Sequence, residues 1–247
     1  MNSPKTLPAP LSVLMPVCNE ADVIEGVVEE WVADVFKYLP EGSEFLIDDA
    51  ESSDGTREIL DRLALKYPYL KVEHRPTKDG FPAAARRLYL RAKCPYIFFT
   101  DSDGQYIAAD FWKLAKHVPA YDVVHGAKLG RKDPLPRRVF SSLFNKLSSF
   151  LVGTYYIDIN SAFRLMKREV IEEVLPKVNV MPALINAEFL LRCELDNLAI
   201  KQVYILHRPR RFGTSRGLPV HRFFIEGFRA FRGLLKIKES YRSDVQP

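Results

Sequence analysis

The chain of 247 residues has few cysteines and no long hydrophobic run. Its three cysteines are far apart, and neither a disulfide framework nor a cysteine metal site can be recognised among them. A reducing compartment is the simplest interpretation. No segment approaches the ~18 to 20 consecutive apolar residues of a membrane span, and the N-terminus lacks the apolar core of a signal peptide. We therefore expect a cytoplasmic protein that does not cross a membrane by itself.

The sequence lacks the motifs of several nucleotide-binding and hydrolase families. No Gly-x-Gly-x-x-Gly fingerprint follows a predicted strand, and no Gly-Lys-Ser/Thr loop is present, which argues against dinucleotide oxidoreductases and P-loop NTPases. No Gly-x-Ser-x-Gly motif and no His–Cys pair stands in a context that would support a hydrolase. Any bound phosphates must therefore be neutralised by a metal ion and by Arg or Lys side chains.

Positive charge is concentrated at the C-terminus. The formal net charge of the chain is +5, but residues 207–247 contain ten Arg and Lys against three acidic residues, a net charge of +7. The rest of the chain is close to neutral. A basic end predicts either an anionic partner, such as a membrane surface, phosphate or nucleic acid, or a solvated basic surface.

The first half of the chain repeats a short apolar strand, a polar turn and an amphipathic helix. Strands are predicted at residues 11–17, 44–47, 70–74, 96–100, 122–125, 162–166 and 200–206. Helices are predicted at 21–38, from Asp54 to about 67, from Asp79 onward, and at 108–117, 137–152, 168–175, 184–195 and about 220–238. This alternation predicts an α/β fold with a mostly parallel, doubly wound sheet flanked by helices.

Polar residues follow three of these strands, at 19–20, 48–49 and 101–103. Because ligands of open α/β sheets bind outside the carboxyl ends of the strands, we expect the three sets to converge on one crevice. Asp101 and Asp103 are two carboxylates one residue apart, and Gln105 offers an amide oxygen nearby. Such oxygens suit Mg²⁺ or Mn²⁺. An Asp-x-Asp pair alone is common in turns, so its position at a strand end carries the prediction.

Three ordered motifs carry a family resemblance. Residues 16–20 read Pro-Val-Cys-Asn-Glu, residues 47–49 and 53–56 read Ile-Asp-Asp and Ser-Asp-Gly-Thr, and residues 100–105 read Thr-Asp-Ser-Asp-Gly-Gln. Together they resemble the inverting family-2 glycosyltransferases of the GT-A fold. The resemblance implies a GT-A domain over 11–217, preceded by a tail at 1–10 and followed by a basic amphipathic helix and tail at 218–247.

The second half narrows the resemblance. Its motifs are Arg131-Lys132-Asp133-Pro134, Arg137-Arg138, Ser141, Asn145, Asp158, Ser161, Phe163-Arg164-Leu165-Met166, Arg168-Glu169-Val170, Glu188 and the basic loop from His207 to Arg216. This series resembles the polyprenyl-phosphate branch, typified by dolichyl-phosphate mannose synthases. The resemblance covers roughly residues 11–235. Arg87 departs from the family pattern, because the family commonly has a small residue at this position.

The resemblance implies a role for each matching position. The nucleotide-sugar residues would be Pro16, Cys18, Glu20, Ile47, Asp49, Asp101, Ser102, Asp103, Gln105, Arg211 and Arg216. Lys128, Arg131, Arg137 and Ser215 would hold the acceptor phosphate. Mg²⁺ or Mn²⁺ would be bound by Asp101, Asp103 and Gln105. The catalytic set would be Asp101, Asp103, Arg131, Arg137 and Arg211.

A polyprenyl-phosphate acceptor changes the demands on catalysis. A phosphomonoester has a second pKa near ~6, so it is already a nucleophile at neutral pH and needs no general base. Saccharide-forming relatives use a carboxylate base, generally an Asp that follows Glu or Gln on a helix. The comparable residues 186–189 read Asn-Ala-Glu-Phe and lack that acidic pair. Glu188 is then either a structural residue or a sugar contact.

The C-terminal helix allows two interpretations. Val220, Phe224, Phe228, Phe231 and Leu235 recur at helical spacing, so the helix either packs on the core or lies on an anionic membrane surface. With the resemblance, this favours a peripheral membrane enzyme that moves a hexose from a GDP- or UDP-sugar to a polyprenyl phosphate. A saccharide or other soluble acceptor, a nucleotide-binding protein without activity and a nucleic-acid-binding module are the alternatives. We expect no nucleic acid partner, and a small membrane partner protein remains open.

Overall fold

A computed structural model describes residues 6–129, 135–209 and 223–245, with side chains described at 6–129, 139, 141–209 and 227–241. The described strands are β1 (Leu11–Val17), β2 (Glu44–Ala50), β3 (Leu70–Arg75), β4 (Tyr96–Phe99), β5 (Val123–Leu129), β6 (Arg164–Lys167) and β7 (Ile200–Leu206). The described α-helices are α1 (Ile24–Asp34), α2 (Thr56–Lys66), α3 (Phe81–Arg91), α4 (Phe111–Ala115), α5 (Leu135–Val152), α6 (Arg168–Val174), α7 (Ile185–Leu195) and α8 (Phe223–Val245). Short 3-10 helices lie at Phe36–Tyr38, Ala108–Asp110, Leu175–Lys177 and Pro182–Leu184.

The seven described strands form one sheet in the order β3-β2-β1-β4-β6-β5-β7. β1 pairs in parallel with β2 and β4, β2 with β3, and β5 with β7. Only β6, among the described strands, runs antiparallel to its two neighbours. The predicted α/β fold with a mostly parallel sheet is therefore confirmed. The carboxyl ends of the six parallel strands lie along one edge of the sheet.

Aromatic side chains fill both faces of the sheet. Phe98 and Phe99 are consecutive residues of β4, so their side chains point to opposite faces. The ring centroid of Phe98 lies 5.2 Å from that of Trp31 on α1, and the centroid of Phe99 lies 5.1 Å from that of Tyr89 on α3. Tyr89 also stacks on Phe189 of α7, with centroids 5.6 Å apart. Helices thus cover both faces, which explains why every residue of β1 is buried.

Strand β2 is longer than predicted. The sequence analysis ends it before Asp48, but it continues to Ala50, with Asp48 and Asp49 in register with residues of β1 and β3. Side chains of neighbouring elements bind both carboxylates, so their polarity does not interrupt the strand. β5 also continues beyond its predicted end at residue 125, to Leu129, through its pairing with β7.

Several helix boundaries in the structure differ from the predicted ones. The predicted helix at 21–38 is α1 followed by a 3-10 turn, and the one at 108–117 is a 3-10 turn followed by α4. The N-cap positions of α2 and α3 are occupied by Gly55 and Gly80, which have φ angles of 95° and 88°. Asp54 lies one residue before this position, but its carboxylate still accepts a 3.2 Å hydrogen bond from the Thr56 N–H at the start of α2. The predicted domain boundary after residue 217 lies outside the described residues.

Gly126 allows β5 to approach the chain that precedes β6. Its N–H donates a 2.8 Å hydrogen bond to the Phe163 carbonyl oxygen. A Cβ at this position would lie 2.8 Å from the same oxygen and 2.9 Å from Ile205 Cδ1. We expect Gly126→Ala to lower the free energy of unfolding by about 1–3 kcal/mol through overpacking, as measured by chemical denaturation.

Gly26→Ala is the matched control for this prediction. No heavy atom lies within 4 Å of a Cβ added at Gly26, which is a position in α1. Helix propensity alone predicts that this variant gains about 1 kcal/mol of stability. Equal stabilities of the two variants would contradict the close approach at Gly126.

Candidate active site

A cavity of about 410 Å³ opens at the carboxyl edge of the sheet. Its walls are the loops after β1, β3 and β4, the last residue of β2 and the first turn of α3. Six residues assigned from the sequence line it: Pro16, Cys18, Glu20, Asp101, Ser102 and Asp103. Its other lining residues are Val17, Ala50, Lys78, Gly80, Phe81 and Ala84. The structure therefore brings the first and third of the predicted polar sets to one cavity.

Two carboxylates from the turn after β4 face this cavity. The Asp103 carboxylate accepts a 3.1 Å hydrogen bond from the Gln105 backbone N–H, and Gly104 between them has a φ angle of 70°. Burial, and then the negative charge of Asp103, raise the pKa of Asp101, while the positive charge of Lys128 acts in the opposite direction. The turn therefore holds negative charge at an unfavourable position, where a cation would stabilise it.

The loop after β1 is fastened to the loop after β2. The Asn19 backbone N–H donates to Ser52 Oγ at 2.7 Å, and Asn19 Oδ1 accepts from the Ser53 backbone N–H at 2.7 Å. The Glu20 backbone N–H donates to Thr56 Oγ1 at 2.8 Å. In this structure the motif at 53–56 thus positions the loop that carries Cys18 and Glu20 into the cavity.

Asp48 and Asp49 do not join the cavity, which corrects the expectation that all three polar sets converge. The two are consecutive strand residues, so their side chains lie on opposite faces of the sheet. Asp49 binds His74 Nδ1 at 2.7 Å and accepts a hydrogen bond from Ser52, and Asp48 binds Arg87. Both carboxylates and the side chain of Ile47 are fully buried. The roles of Ile47 and Asp49 in nucleotide binding stay predictions.

Arg87 holds Asp48 and organises the loop that follows β3. Its guanidinium donates two 2.8 Å hydrogen bonds to the Asp48 carboxylate and also binds Asp79. This pairing explains how a large cation fits a position that is commonly small in the family. Lys78, the residue before Asp79, lines the cavity and was missed in the sequence analysis. The rule of polar residues at strand ends, applied also to β3, would have identified it.

Gln105 fastens the turn after β4 to the segment after β7. Its side-chain amide donates to the Arg208 carbonyl oxygen at 3.0 Å, and the Arg208 backbone N–H donates to the Gln105 carbonyl oxygen at 2.8 Å. The Arg208 guanidinium in turn binds both carboxylate oxygens of Glu30, at 2.8 and 3.1 Å. Gln105 is not among the described residues that line the cavity, so its role as a metal ligand stays a prediction. These hydrogen bonds fix Arg208, near the start of the basic loop at 207–216, against the turn that carries Asp103.

Lys128 belongs to a largely buried polar layer, from which its positive charge acts on Asp101. Its Nζ is 3.4 Å from Asp158 Oδ2 and 5.5 Å from the centre of the Tyr106 ring. The Asp158 carbonyl oxygen binds His125 Nε2 at 2.7 Å. Burial, foremost, lowers the pKa of His125 to about 3, so this ring is neutral at physiological pH. Lys128 is not among the described residues that line the cavity, so its role at the acceptor phosphate stays a prediction.

Several assigned residues lie outside the described part of the chain. They are Arg131, Arg211, Ser215 and Arg216, together with the side chain of Arg137 at the start of α5. Their roles stay predictions.

Glu188 of α7 is a structural residue. Its side chain is fully buried and accepts hydrogen bonds from the backbone N–H groups of Asn179, Val180 and Met181. It also forms a buried ion pair with Arg192, with an N–O distance of 3.0 Å. A carboxylate occupied in this way cannot act as a general base toward a substrate. The structure thus decides between the two interpretations of Glu188 that the sequence left open.

We expect Glu188→Gln to lower the free energy of unfolding by about 3–5 kcal/mol. The substitution leaves Arg192 without its buried partner and turns an amide donor toward three backbone N–H donors. Urea denaturation measures the loss. Glu169→Gln on α6 is the control, because Glu169 is exposed and its substitution should change stability by less than about 0.5 kcal/mol. If the two variants are equally stable, the carboxylate does not hold the 179–181 segment.

The donor set at the cavity fits a divalent metal ion. Among the described residues, no group of three or more His, Cys, Asp or Glu side chains could hold a metal by itself. Mg²⁺ at nucleotide sites is commonly bound by one or two carboxylates, with substrate phosphates and water as the other ligands. Asp101 and Asp103 supply such a pair of hard oxygen donors in a cavity open to a substrate.

The chain is similar in sequence to curated enzymes of lipid-linked sugars. It is 28% identical over 215 residues to the polyprenol monophosphomannose synthase of Mycolicibacterium smegmatis, covering 83% of this chain and 79% of that protein. It is 24% identical over 208 residues to the dolichyl-phosphate beta-glucosyltransferase ALG5C of Trichomonas vaginalis. That match covers 77% of this chain but only 61% of the relative.

A solved structure has the same fold. It is glucosyl-3-phosphoglycerate synthase from Mycobacterium tuberculosis in complex with Mn²⁺, uridine diphosphate and phosphoglyceric acid, with a TM-score of 0.69 and 19% identity. The superposition covers 94% of this chain and 79% of that protein, so this chain has the GT-A fold. The model of the family described as Glycosyl transferase family 2 matches residues 12–175, more than half of the chain. With its fold and its carboxylate cavity, the chain is a glycosyltransferase and belongs to glycosyl transferase family 2.

Proposed function

We propose that this glycosyltransferase transfers a hexose from a nucleoside-diphosphate sugar to a polyprenyl phosphate, with inversion at the anomeric carbon. The observation that carries the choice of acceptor is the burial of Glu188. A hydroxyl acceptor needs a base, whereas a phosphate acceptor is already ionised. The relatives named for polyprenol and dolichyl phosphate support the same class of acceptor.

The donor would bind at the carboxylate cavity. Its nucleotide would lie against the loop at 16–20, and its diphosphate would lie near Asp101 and Asp103. These two residues would hold Mg²⁺ or Mn²⁺, which neutralises the leaving nucleoside diphosphate. A structural neighbour has been crystallised with Mn²⁺ and uridine diphosphate, and this supports the assignment. Lys78, which also lines the cavity, would interact with the negative charge of the donor.

The reaction needs two anions to meet at one carbon. An oxygen of the acceptor phosphate forms the new bond to the anomeric carbon, and the bond from that carbon to the diphosphate oxygen breaks. The nucleoside diphosphate leaves on the opposite face. Lys128 would hold the acceptor phosphate together with Arg131, Arg137 and Ser215, and Arg211 and Arg216 would hold the diphosphate of the donor. All of these side chains except that of Lys128 lie outside the described ones. Charge neutralisation and positioning are then the main work of the protein.

Exposed apolar residues on α5 and α8 support a membrane surface as the place of the reaction. These two helices pack against each other. On α8, Phe228 is 62% exposed, whereas Leu234 on the other side is buried. The exposed set comprises Val139, Leu143, Phe150, Phe228, Phe231 and Leu235. Among the helices of the described residues, none has both the length and the apolarity to cross a membrane.

The helix therefore combines both interpretations that the sequence allowed. Its inner side packs on the core, and its outer side presents the aromatic rings of Phe228 and Phe231. We call Phe228, Phe231 and Leu235 together the α8 aromatic row. We propose that this row enters the boundary between lipid headgroups and acyl chains. The side chain of Phe224, which the sequence analysis assigned to the same contact, lies outside the described residues.

The acceptor class is tested by measuring transfer from labelled GDP- and UDP-hexoses with Mn²⁺. We expect product with polyprenyl phosphate and none with free saccharides or 3-phosphoglycerate. Asp103→Asn should lower this transfer at least tenfold, because the amide still accepts the Gln105 N–H but no longer offers a charged metal ligand. Calorimetry should show a parallel loss of metal-dependent binding of the nucleoside diphosphate.

Asp22→Asn is the matched control, since Asp22 is exposed on the neighbouring loop and does not line the cavity. It should retain full transfer. Unchanged donor affinity in Asp103→Asn would overturn the metal assignment. Efficient transfer to a saccharide or to 3-phosphoglycerate, but not to polyprenyl phosphate, would overturn the acceptor assignment.

The membrane contact is tested with the double variant Phe228→Ser and Phe231→Ser. We expect it to lose most co-sedimentation with anionic vesicles, while it retains activity on a short, water-soluble polyprenyl phosphate analogue. Leu65→Ser with Leu90→Ser is the control, because these residues are 89% and 70% exposed and belong to other helices, α2 and α3. Vesicle binding that survives in the Phe228/Phe231 variant would contradict the proposed contact.

A further inference from the structure

A second cavity, of about 470 Å³, lies between α8 and the segment at 180–184. We call it the α8 groove. It shares no lining residue with the carboxylate cavity. One wall is apolar and includes Met181, Ala183 and Leu184. The charged residues that line it are Arg229, Arg232 and Lys236, and its described lining contains no acidic residue.

The three cations form a row that runs alongside the α8 aromatic row. Arg229, Arg232 and Lys236 are spaced by three and four residues, so they lie on one side of the helix. Each follows by one position a member of the aromatic row, which places the two rows about 100° apart around the helix axis. When the aromatic row lies in the acyl boundary, the cationic row and the groove are at the level of the lipid headgroups.

The groove is a feature of the packing and not a gap left by loose contact. A Cβ built at Gly233 would overlap the Met181 side chain, so glycine at this position lets α8 approach the segment at 180–184 closely. Glu188 already accepts the backbone N–H groups of Val180 and Met181. These donors are therefore occupied, and recognition of an anion in the groove must come from the Arg and Lys side chains.

We propose that the α8 groove binds one anionic phospholipid of the membrane. The phosphate of the lipid headgroup would pair with Arg229, Arg232 and Lys236, and the start of its acyl chains would lie along Met181 and Leu184. The inference rests on the proposed membrane contact of α8 and adds to it a defined lipid site. Charge complementarity together with an apolar wall selects an anionic amphiphile over a neutral lipid or a free phosphate.

Binding of a short-chain lipid below its micelle concentration tests the site without a membrane. We expect dihexanoyl-phosphatidylglycerol to bind with a stoichiometry of one in calorimetry, and dihexanoyl-phosphatidylcholine and inorganic phosphate to bind at least tenfold more weakly. Ala183→Trp, which fills the groove and keeps its charges, should weaken the binding at least tenfold. Arg229→Gln with Lys236→Gln should weaken it by about fivefold for each charge removed.

The controls make the same changes of side-chain volume and charge at positions outside the groove. Ala120→Trp adds the same volume at an exposed turn, and Lys93→Gln with Lys116→Gln removes the same charge from exposed positions. Both should bind the lipid like the wild type. If Ala183→Trp does not fold, as judged by near-UV circular dichroism, the Arg229/Lys236 variant decides the question.

Separate results would overturn the lipid site and the proposed function. The site is overturned if the short-chain lipid does not bind, if the phosphatidylcholine binds equally well, or if both groove variants bind like the wild type. It is also overturned if the groove variants lose transfer to polyprenyl phosphate in detergent, because the groove would then hold the acceptor. The Phe228/Phe231 variant should no longer co-sediment with vesicles but should still bind the short-chain lipid. A failure of the proposed membrane contact can therefore be distinguished from a failure of the lipid site.

Discussion

The parallel direction of six strands is the constraint on which the candidate site depends. Because β1, β2, β3 and β4 run side by side in the same direction, the loops that follow them meet at one edge of the sheet. The carboxylates of Asp101 and Asp103 after β4 thereby line the same cavity as Cys18 and Glu20 after β1, about 80 residues earlier in the chain. The candidate site is therefore built from several loops, each of which follows a different strand.

Much of the buried charge serves to hold these segments in position. Arg87 pairs with Asp48 beneath the edge and ties the loop that carries Lys78. Glu188 and Arg192 pair within α7 and hold the segment at 179–181. Buried ions are costly unless they are paired and hydrogen-bonded, so these pairs fix one arrangement of the loops. In contrast, Asp101 and Asp103 repel each other at the cavity. The contrast separates carboxylates that support the fold from the two that we propose to bind a metal ion.

Helix α8 joins the catalytic domain to the surface on which we propose that it acts. Its buried side, with Ala230, Leu234 and Ile237, is part of the main hydrophobic cluster. Its exposed rows would contact lipid, and its N-terminal end follows the basic segment that begins beside Gln105. On the proposed function, the phosphate head of the acceptor would lie at the carboxylate cavity and its apolar chain would lie in the membrane.

The sequence by itself determined the order of strands and helices, the parallel sheet and the first and third polar sets of the site, because apolar periodicity and polar strand ends are local signals. It also predicted the family, because several motifs occur in order. The tertiary structure decided what local signals cannot contain. Asp48 and Asp49 look alike in the sequence, but the pleat of β2 directs them to opposite faces, toward Arg87 and His74. Glu188 could equally have faced a substrate, and only its position under the 179–181 segment makes it structural. Lys78 joined the site because Arg87 binds Asp79 in the same loop, a contact between residues eight positions apart, while Arg87 is itself held by the buried carboxylate of Asp48.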